Sequence, residues 1–185
     1  MKNRDFNLQA ELQNNVVKIR ALQYSDFEQL YAVAADPLLW EQHPNPDRWK
    51  REVFEVFFKG AMESKGAFLV MDAKSGIPIG TSRLYEYVPE LKRINLGYTF
   101  VSRDCWGKGH NPALKSLMLD YAFRWVEEVY LHIGEVNVRS QKSIERIGAK
   151  KVEERLIEYY GEGYIRNFVY RIDKSDWFKN KISAY

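Results

Sequence analysis

The stretch that most constrains this chain runs from Arg93 to Trp125. "RINLGYTFVS" alternates like a strand, "RDCWGKGHNP" brings two glycines one residue apart, and from Gly109 the chain turns helical. Leu114, Leu117, Met118, Tyr121, Ala122 and Trp125 form one apolar stripe, and Pro112 suits a first helical turn because its missing N–H has no intrahelical use there. A strand, a glycine pair and a helix start together suit an anion: glycines let backbone N–H groups approach it, and the helix dipole adds partial positive charge. The spacing excludes a nucleoside triphosphate loop, which needs four residues between its glycines. It also excludes the dinucleotide fingerprint, whose third glycine would fall at Pro112. An ordinary strand-to-helix turn is the alternative.

On either side the pattern reads as strands and helices in alternation. "VVKIRAL" is a strand, and "YSDFEQLYAVAAD" is a helix with Ser25 as its cap. Trp49, Val53, Phe54, Phe57 and Phe58 then recur at helical spacing. "GAFLVMDA" and "KSGIPIGTSRLYEY" supply two strands before the glycine stretch. After it come a strand "VYLHIGEV", a short helix "NVRSQKSIERIG" closed by Gly148, and strands around "ERLIEYY" and "YIRNFVYRI". The order β, α, α, β, β, β, α, β, α, β, β predicts a mixed α/β sheet.

With 185 residues and 45% hydrophobic content, residues 1–185 are expected to form a single domain. The first ~10 residues are polar enough to be mobile. A net charge of +3, with both signs interspersed, gives no basic patch to argue for nucleic acid. Cys105 is the lone cysteine, so there is no internal disulfide, and His43, His110 and His132 lack ligand-like spacing, so no metal is expected. The N-terminus has no apolar signal-like run and no stretch reaches the ~18 apolar residues of a span, so a cytoplasmic protein without a membrane partner is expected, as monomer or homodimer.

The segment "LGYTFVSRDCWGKGHNPALKSLMLDYAF" followed by "NVRSQKSIERIGAKK" resembles the GNAT acetyltransferase superfamily, in particular the branch of the ribosomal-protein N-terminal acetyltransferases. Asn137, Ser140, Glu145 and Gly148 match that branch's Asn-x-x-Ser-x-x-x-x-Glu-x-x-Gly pattern, and Gly107 and Gly109 match the glycines of the superfamily's loop. Asp104 departs from the usual Gln or Arg, with Arg103 and Lys108 nearby to offset its charge. The resemblance implies the GNAT fold: a mostly antiparallel sheet with a splayed parallel strand pair, here "RINLGYTFV" and "VYLHIGEV", flanked by about four helices. It implies acetyl-CoA as cosubstrate, its pyrophosphate at Gly107 and Gly109 with Trp106, His110 and Asn111 alongside. Main-chain groups of Phe100 and Val101 would meet the pantetheine arm. The alternative for Trp106 is packing.

The activity implied is acetyl transfer to a primary amine, either a protein N-terminus or a small molecule. A coenzyme A-binding protein with little turnover is the alternative. Such a reaction needs a neutral amine, a polarised carbonyl and a proton for the departing thiolate. Asn137 is expected to bind pantetheine amides, to cap a helix, or both. Ser140 is the candidate proton donor, the alternative being a helix-start partner. Resembling enzymes often carry Glu where Asn95 stands, which leaves Glu158 and Glu86 as candidate bases. Trp40, His43, Tyr98 and Tyr160 are candidate acceptor contacts, although "HPNP" around His43 equally reads as a rigid turn. Trp49, Tyr159 and Tyr164 would add aromatic walls, and Glu41, Asp47, Glu158 and Glu162 would attract a cation.

Overall fold

The computed structural model describes residues 6–161 and 163–182. Eight strands form one sheet in the order β1-β2-β3-β4-β5-β6-β8-β7. After β1 (Leu12–Gln13) and β2 (Val17–Ala21), helices α1 (Phe27–Ala34) and α2 (Arg51–Glu63) cross one face. β3 (Ala67–Asp72), β4 (Pro78–Val88) and β5 (Arg93–Val101) then run as an antiparallel meander. Helix α3 (His110–Ala122) crosses the other face to β6 (Glu128–Gly134), and α4 (Val138–Glu145) precedes β7 (Lys150–Tyr159), β8 (Gly163–Asp173) and α5 (Lys174–Ile182). The mixed, mostly antiparallel sheet agrees with the sequence pattern.

Three local expectations are corrected. Five α-helices are present rather than about four, because α5 follows β8. It docks through Trp177, whose indole donates to Asp120 at 2.8 Å. Ser25 is not a helix cap: Asp26 accepts from the Gln23 N–H and from Arg20, closing the short turn that leads into α1. Within the segment expected to be mobile, Phe6, Leu8 and Ala10 pack on the core, and Phe6 stacks on Trp125. Residues 1–5 lie outside the described residues.

Strand alternation sorts side chains onto two cores. On the α3 face, Val17, Phe68, Leu84 and Leu96 meet Leu114 and Met118; on the α1/α2 face, Leu69 and Phe100 meet Leu30, Phe54 and Phe57. The faces are kept in step by an irregularity in β5. Thr81 pairs with Phe100 but Arg83 pairs with Gly97, so β5 carries one extra residue, and Tyr98 there has φ of 50°. A bulge of this kind bends its strand and strengthens its twist. β5 pairs with β6 in parallel only at Arg93, Ile94 and Asn95; beyond that point no further pairing is made and the two strands part. This fork is the central feature of the sheet.

Lys115 of α3 is buried at 6% exposure, and its ammonium donates to Thr99 Oγ1 at 2.8 Å, which in turn meets Ser82 Oγ at 2.7 Å. Among the described residues no carboxylate pairs with it, and burial brings its pKa down to about 7. Between that value and the ordinary ~10.4 of a lysine, the unfolded chain binds a proton that the folded chain does not, so stability rises with pH across this window. Lys115→Met is expected to raise the melting temperature at pH 7 and to remove that rise between pH 7 and 10. Thermal melts of both proteins across this range check it; parallel pH profiles would contradict it.

Candidate active site

β5 ends at Val101, a short 3-10 turn covers Arg103–Cys105, and the chain enters α3 through Gly107 and Gly109. Both glycines have positive φ, 72° and 84°, which explains why no side chain stands there. A Cβ at either would meet nothing within 4 Å, so the loop faces open space. Neither glycine N–H is spent on a hydrogen bond within the described residues, and α3 adds its dipole from behind. His110, the first residue of α3, meets Asp72 through Nε2 at 3.1 Å, while its Nδ1 is buried without a partner. Free backbone amides at a helix start are what a phosphate would satisfy.

The neighbours of this cradle hold it in place. Arg103 binds the Asp36 carboxylate, which also accepts from Leu38 N–H, so its charge is engaged with the loop after α1. Lys108 and Asp104 are exposed. Asn111 donates to Ser143 at 3.0 Å, joining the start of α3 to the last turns of α4. Trp106 donates to the Val101 carbonyl at 3.0 Å, and the Arg139 guanidinium stacks 4.0 Å from its ring centroid. Arg139 also donates to the Leu39 carbonyl. Phe100 is buried, edge-on to Trp40, leaving only its main chain for any ligand.

Across the fork, Asn137 caps α4 by accepting from Ser140 N–H at 3.1 Å. The Ser140 hydroxyl has no hydrogen bond among the described residues. The end of β6 is roofed by the 36–50 loop, since a Cβ on Gly134 would come within 2.1 Å of Pro44. His43 sets that loop. Arg48 lies 3.1 Å from its Nε2, and its Nδ1 meets the Asn45 backbone, 3.0 Å from the N–H and 3.2 Å from the carbonyl. Burial, with Arg48 nearby, holds the ring neutral, well below its ordinary pKa. His43 is thus the internal partner of a turn, and Trp40, 2% exposed with its indole on the Ala34 carbonyl, is a core residue.

On the α2 side of the fork lies a narrow cleft lined by Arg48, Phe57, Gly60, Arg83, Tyr98, Tyr159 and Tyr160. Its volume of about 10 Å³ holds roughly one water. Tyr160 lies flat on Gly60, where a Cβ would be 3.0 Å from the ring, so only glycine lets the β7–β8 turn approach α2 this closely. Tyr98 and Tyr160 both line this cleft. Tyr159 faces Tyr98 and donates to Asn167, so its neighbour Glu158 is turned to the opposite face of β7, exposed, and outside the cleft. Glu86 is placed differently: its carboxylate accepts from Asn95 Nδ2, at the point where β5 and β6 begin to part. Glu162 lies outside the described residues.

Several groups here escaped sequence reasoning. Tyr85 reaches His132 Nδ1 at 3.4 Å, and burial lowers His132 to about 4 and raises Tyr85 well above its ordinary value. Arg48 and Arg83 are buried at 3% and 5% exposure. One signal was available for Arg83 and Tyr85: both occupy core-facing parity in "TSRLYEY", where an arginine is out of place unless the face does more than pack.

Residues 17–150 match the acetyltransferase (GNAT) domain family. Solved structures share the fold at low identity. A GCN5-related N-acetyltransferase from Brucella melitensis superimposes with a TM-score of 0.78 at 17% identity, covering 91% of this chain and 80% of its own. A GNAT-family acetyltransferase from Bacillus anthracis gives 0.70 at 18% identity over 90% and 99%. The spermidine N-acetyltransferase of Vibrio cholerae, solved with CoA and spermine, gives 0.66 at 19% identity over 89% and 99%.

The buried histidine beside the cleft has a measurable consequence. The unfolded chain binds a proton at His132 below about 6.5, whereas the folded chain resists it until about 4, so stability falls as pH drops through that window. His132→Phe is expected to flatten this fall by up to ~1.4 kcal/mol per pH unit, read from denaturant melts between pH 6.5 and 4.5. An unchanged slope would mean that His132 titrates freely.

Proposed function

The chain belongs to the acetyltransferase (GNAT) domain family, and from that premise we propose that it transfers the acetyl group of acetyl-CoA to a primary amine. The observation that carries this reading is the open fork between β5 and β6 with the glycine cradle of α3 at its mouth. The N–H groups of Gly107 and Gly109 receive the pyrophosphate, helped by the α3 dipole and by Lys108. The β5 edge at Phe100 and Val101, left unpaired by the fork, meets the pantetheine amides from one side, and the Asn137 carboxamide meets them from the other. Trp106 props the cradle, and the coenzyme must slide past the Arg139 side chain stacked on it.

In the fork, the acceptor nitrogen attacks the thioester carbon, a C–N bond forms, and the C–S bond breaks. Ser140, whose hydroxyl has no hydrogen bond among the described residues, gives the departing thiolate its proton and is reprotonated through solvent by the proton that Glu86 takes up, so that the net change moves one proton from nitrogen to sulfur. The ammonium proton leaves to Glu86, which Asn95 holds at the root of the fork. A carboxylate borrowed from β4 thereby replaces the one that resembling enzymes carry on β5. An acceptor α-amine near pKa ~8 is partly neutral at pH 7, so a weak base suffices, and positioning supplies much of the rate. The motif on α4 resembles the N-terminal acetyltransferases of ribosomal proteins, and the Vibrio relative is named for a polyamine; both acceptor classes are primary amines. The absence of a membrane-length apolar helix among the described residues fits an enzyme of dissolved substrates.

Two measurements test this. Acetyl-CoA at about 100 times its dissociation constant stabilises a protein by ~2.7 kcal/mol, equivalent here to a melting shift of roughly 5 to 11 °C. Gly109→Val is expected to abolish most of that shift, because its Cβ crowds a phosphate, and to lower the melting temperature of the free protein only by the strain of a side chain at a φ of 84°, since that Cβ meets nothing within 4 Å. Ser140→Ala is expected to lower kcat ~10²-fold and leave coenzyme affinity nearly intact, since a proton given to a leaving group matters most in the transition state. Near-normal kcat in Ser140→Ala would remove Ser140 from the chemistry.

A further inference from the structure

The cleft on the α2 side holds a buried cation, Arg83, that no carboxylate of the described residues pairs. Arg83 lies within it at 5% exposure, its guanidinium 3.9 Å from the Tyr98 ring centroid and 5.8 Å from that of Phe57. Its Nε is buried without a hydrogen-bond partner, and no carboxylate of the described residues forms an ion pair with it. A guanidinium cannot shed its proton to escape this situation. Burial, with the positive charge of nearby Arg48, lowers its pKa to about 10, yet the group is still a cation near neutrality. Aromatic rings compensate a desolvated cation only in part, and a buried charge lacking a partner is strongly disfavoured.

The surroundings do not supply what is missing. Arg48, over the Phe57 ring at 4.8 Å, brings a second guanidinium to the same cleft. The other lining residues are aromatic or glycine, with no acid among them. A polyamine, cationic at both ends, would meet the like charge of Arg83 here. A small planar anion would meet a fork of N–H donors in a desolvated site, the geometry in which guanidinium binds carboxylate bidentately.

We propose that the acceptor amine carries a carboxylate, and that this carboxylate seats on Arg83 while the amine reaches the fork. The substrate class is thus an amino acid or a short amino-carboxylate. This rests on the acetyl-transfer reading above and deepens it by naming the acceptor. Arg83 acts as a specificity residue that touches substrate, not as a participant in proton transfer.

The test compares matched amines that differ at one group. The purified protein is supplied with acetyl-CoA and the twenty L-amino acids, their carboxamides, β-alanine, O-phosphoethanolamine and cadaverine, and turnover is read by product mass. The expected result is a free acid preferred over its own carboxamide by 10-fold or more in kcat/KM, with Arg83→Met losing ~10²-fold on the acid, chiefly in KM, and little on the carboxamide. The melting temperature of Arg83→Met is expected to equal or exceed that of the parent, because a methionine fills the cleft without a buried charge. Should that variant fail to fold, the acid-to-carboxamide ratio of the unmodified protein decides. Equal use of acid and carboxamide, or a preference for cadaverine or O-phosphoethanolamine, overturns the proposal. Calorimetric titration of the same acids and carboxamides in the presence of coenzyme A separates the two readings. Acid-selective binding without turnover would sink acetyl transfer and keep the carboxylate seat, whereas turnover without acid preference would do the reverse.

Discussion

Everything that makes a site possible in this protein depends on where β5 stops pairing with β6. A strand that kept its ladder past Asn95 would close the sheet and leave no edge for a ligand. The extra residue at Tyr98 prevents this. It bends β5, turns Tyr98 and Phe100 towards α2, and sends Thr99 and Val101 towards α3. A non-glycine residue at a φ of 50° is strained by roughly 1–3 kcal/mol, and such strain persists only where the surroundings over-determine it. Here they do: Tyr98 is clamped between the Arg83 guanidinium, Tyr85 and Tyr159. The Arg83 guanidinium thus lies directly over the residue at which β5 bends.

The two faces of β5 each carry a buried cation, and they differ in what compensates it. Lys115 on the α3 face has a hydroxyl chain through Thr99 to Ser82 and a pKa near 7, so it can become neutral and cease to cost much. Arg83 on the α2 face has neither option. A lysine tolerated by deprotonation and an arginine held charged are different physical solutions, and only the second leaves a standing field in a cleft. That difference is why the arginine, rather than the lysine, points to a ligand.

Most of the architecture was legible because it depends on periodicity and glycine. The alternation of "RINLGYTFVS", the stripe of α3 and the positive-φ demands of Gly107, Gly109 and Gly148 are local signals, and each element stands where they put it. What the sequence did not disclose is non-local. β1 is two residues long, and α5 offers Trp177 and Phe178 among charges, too little apolar pattern to announce a helix until Asp120 and Phe123 are placed beside it. The reading of Glu158 as a base failed on parity: whether a strand residue faces a cleft depends on register, and β7 takes its register from β8 across a bulge. Glu86 could not be ranked above it from the sequence because its contact with Asn95 spans two strands.

The loop over residues 36–50 draws these parts into one unit. Asp36 holds Arg103 beside the glycine cradle, and the Leu39 carbonyl holds Arg139, which lies on Trp106. Further on, Pro44 seals the end of β6 against Gly134, and Arg48, oriented by His43, enters the acceptor cleft. One segment of chain therefore touches the phosphate end, the roof of the fork and the cleft wall in turn. It is built on three prolines, a neutral half-buried histidine and a core tryptophan rather than on regular α or β structure. Any movement that lets a coenzyme past Arg139 pulls on the Leu39 carbonyl, and through it on Trp40 and the turn that positions Arg48. One loop thereby contacts the glycine cradle, the fork and the α2-side cleft, an arrangement more economical than separate supports for each.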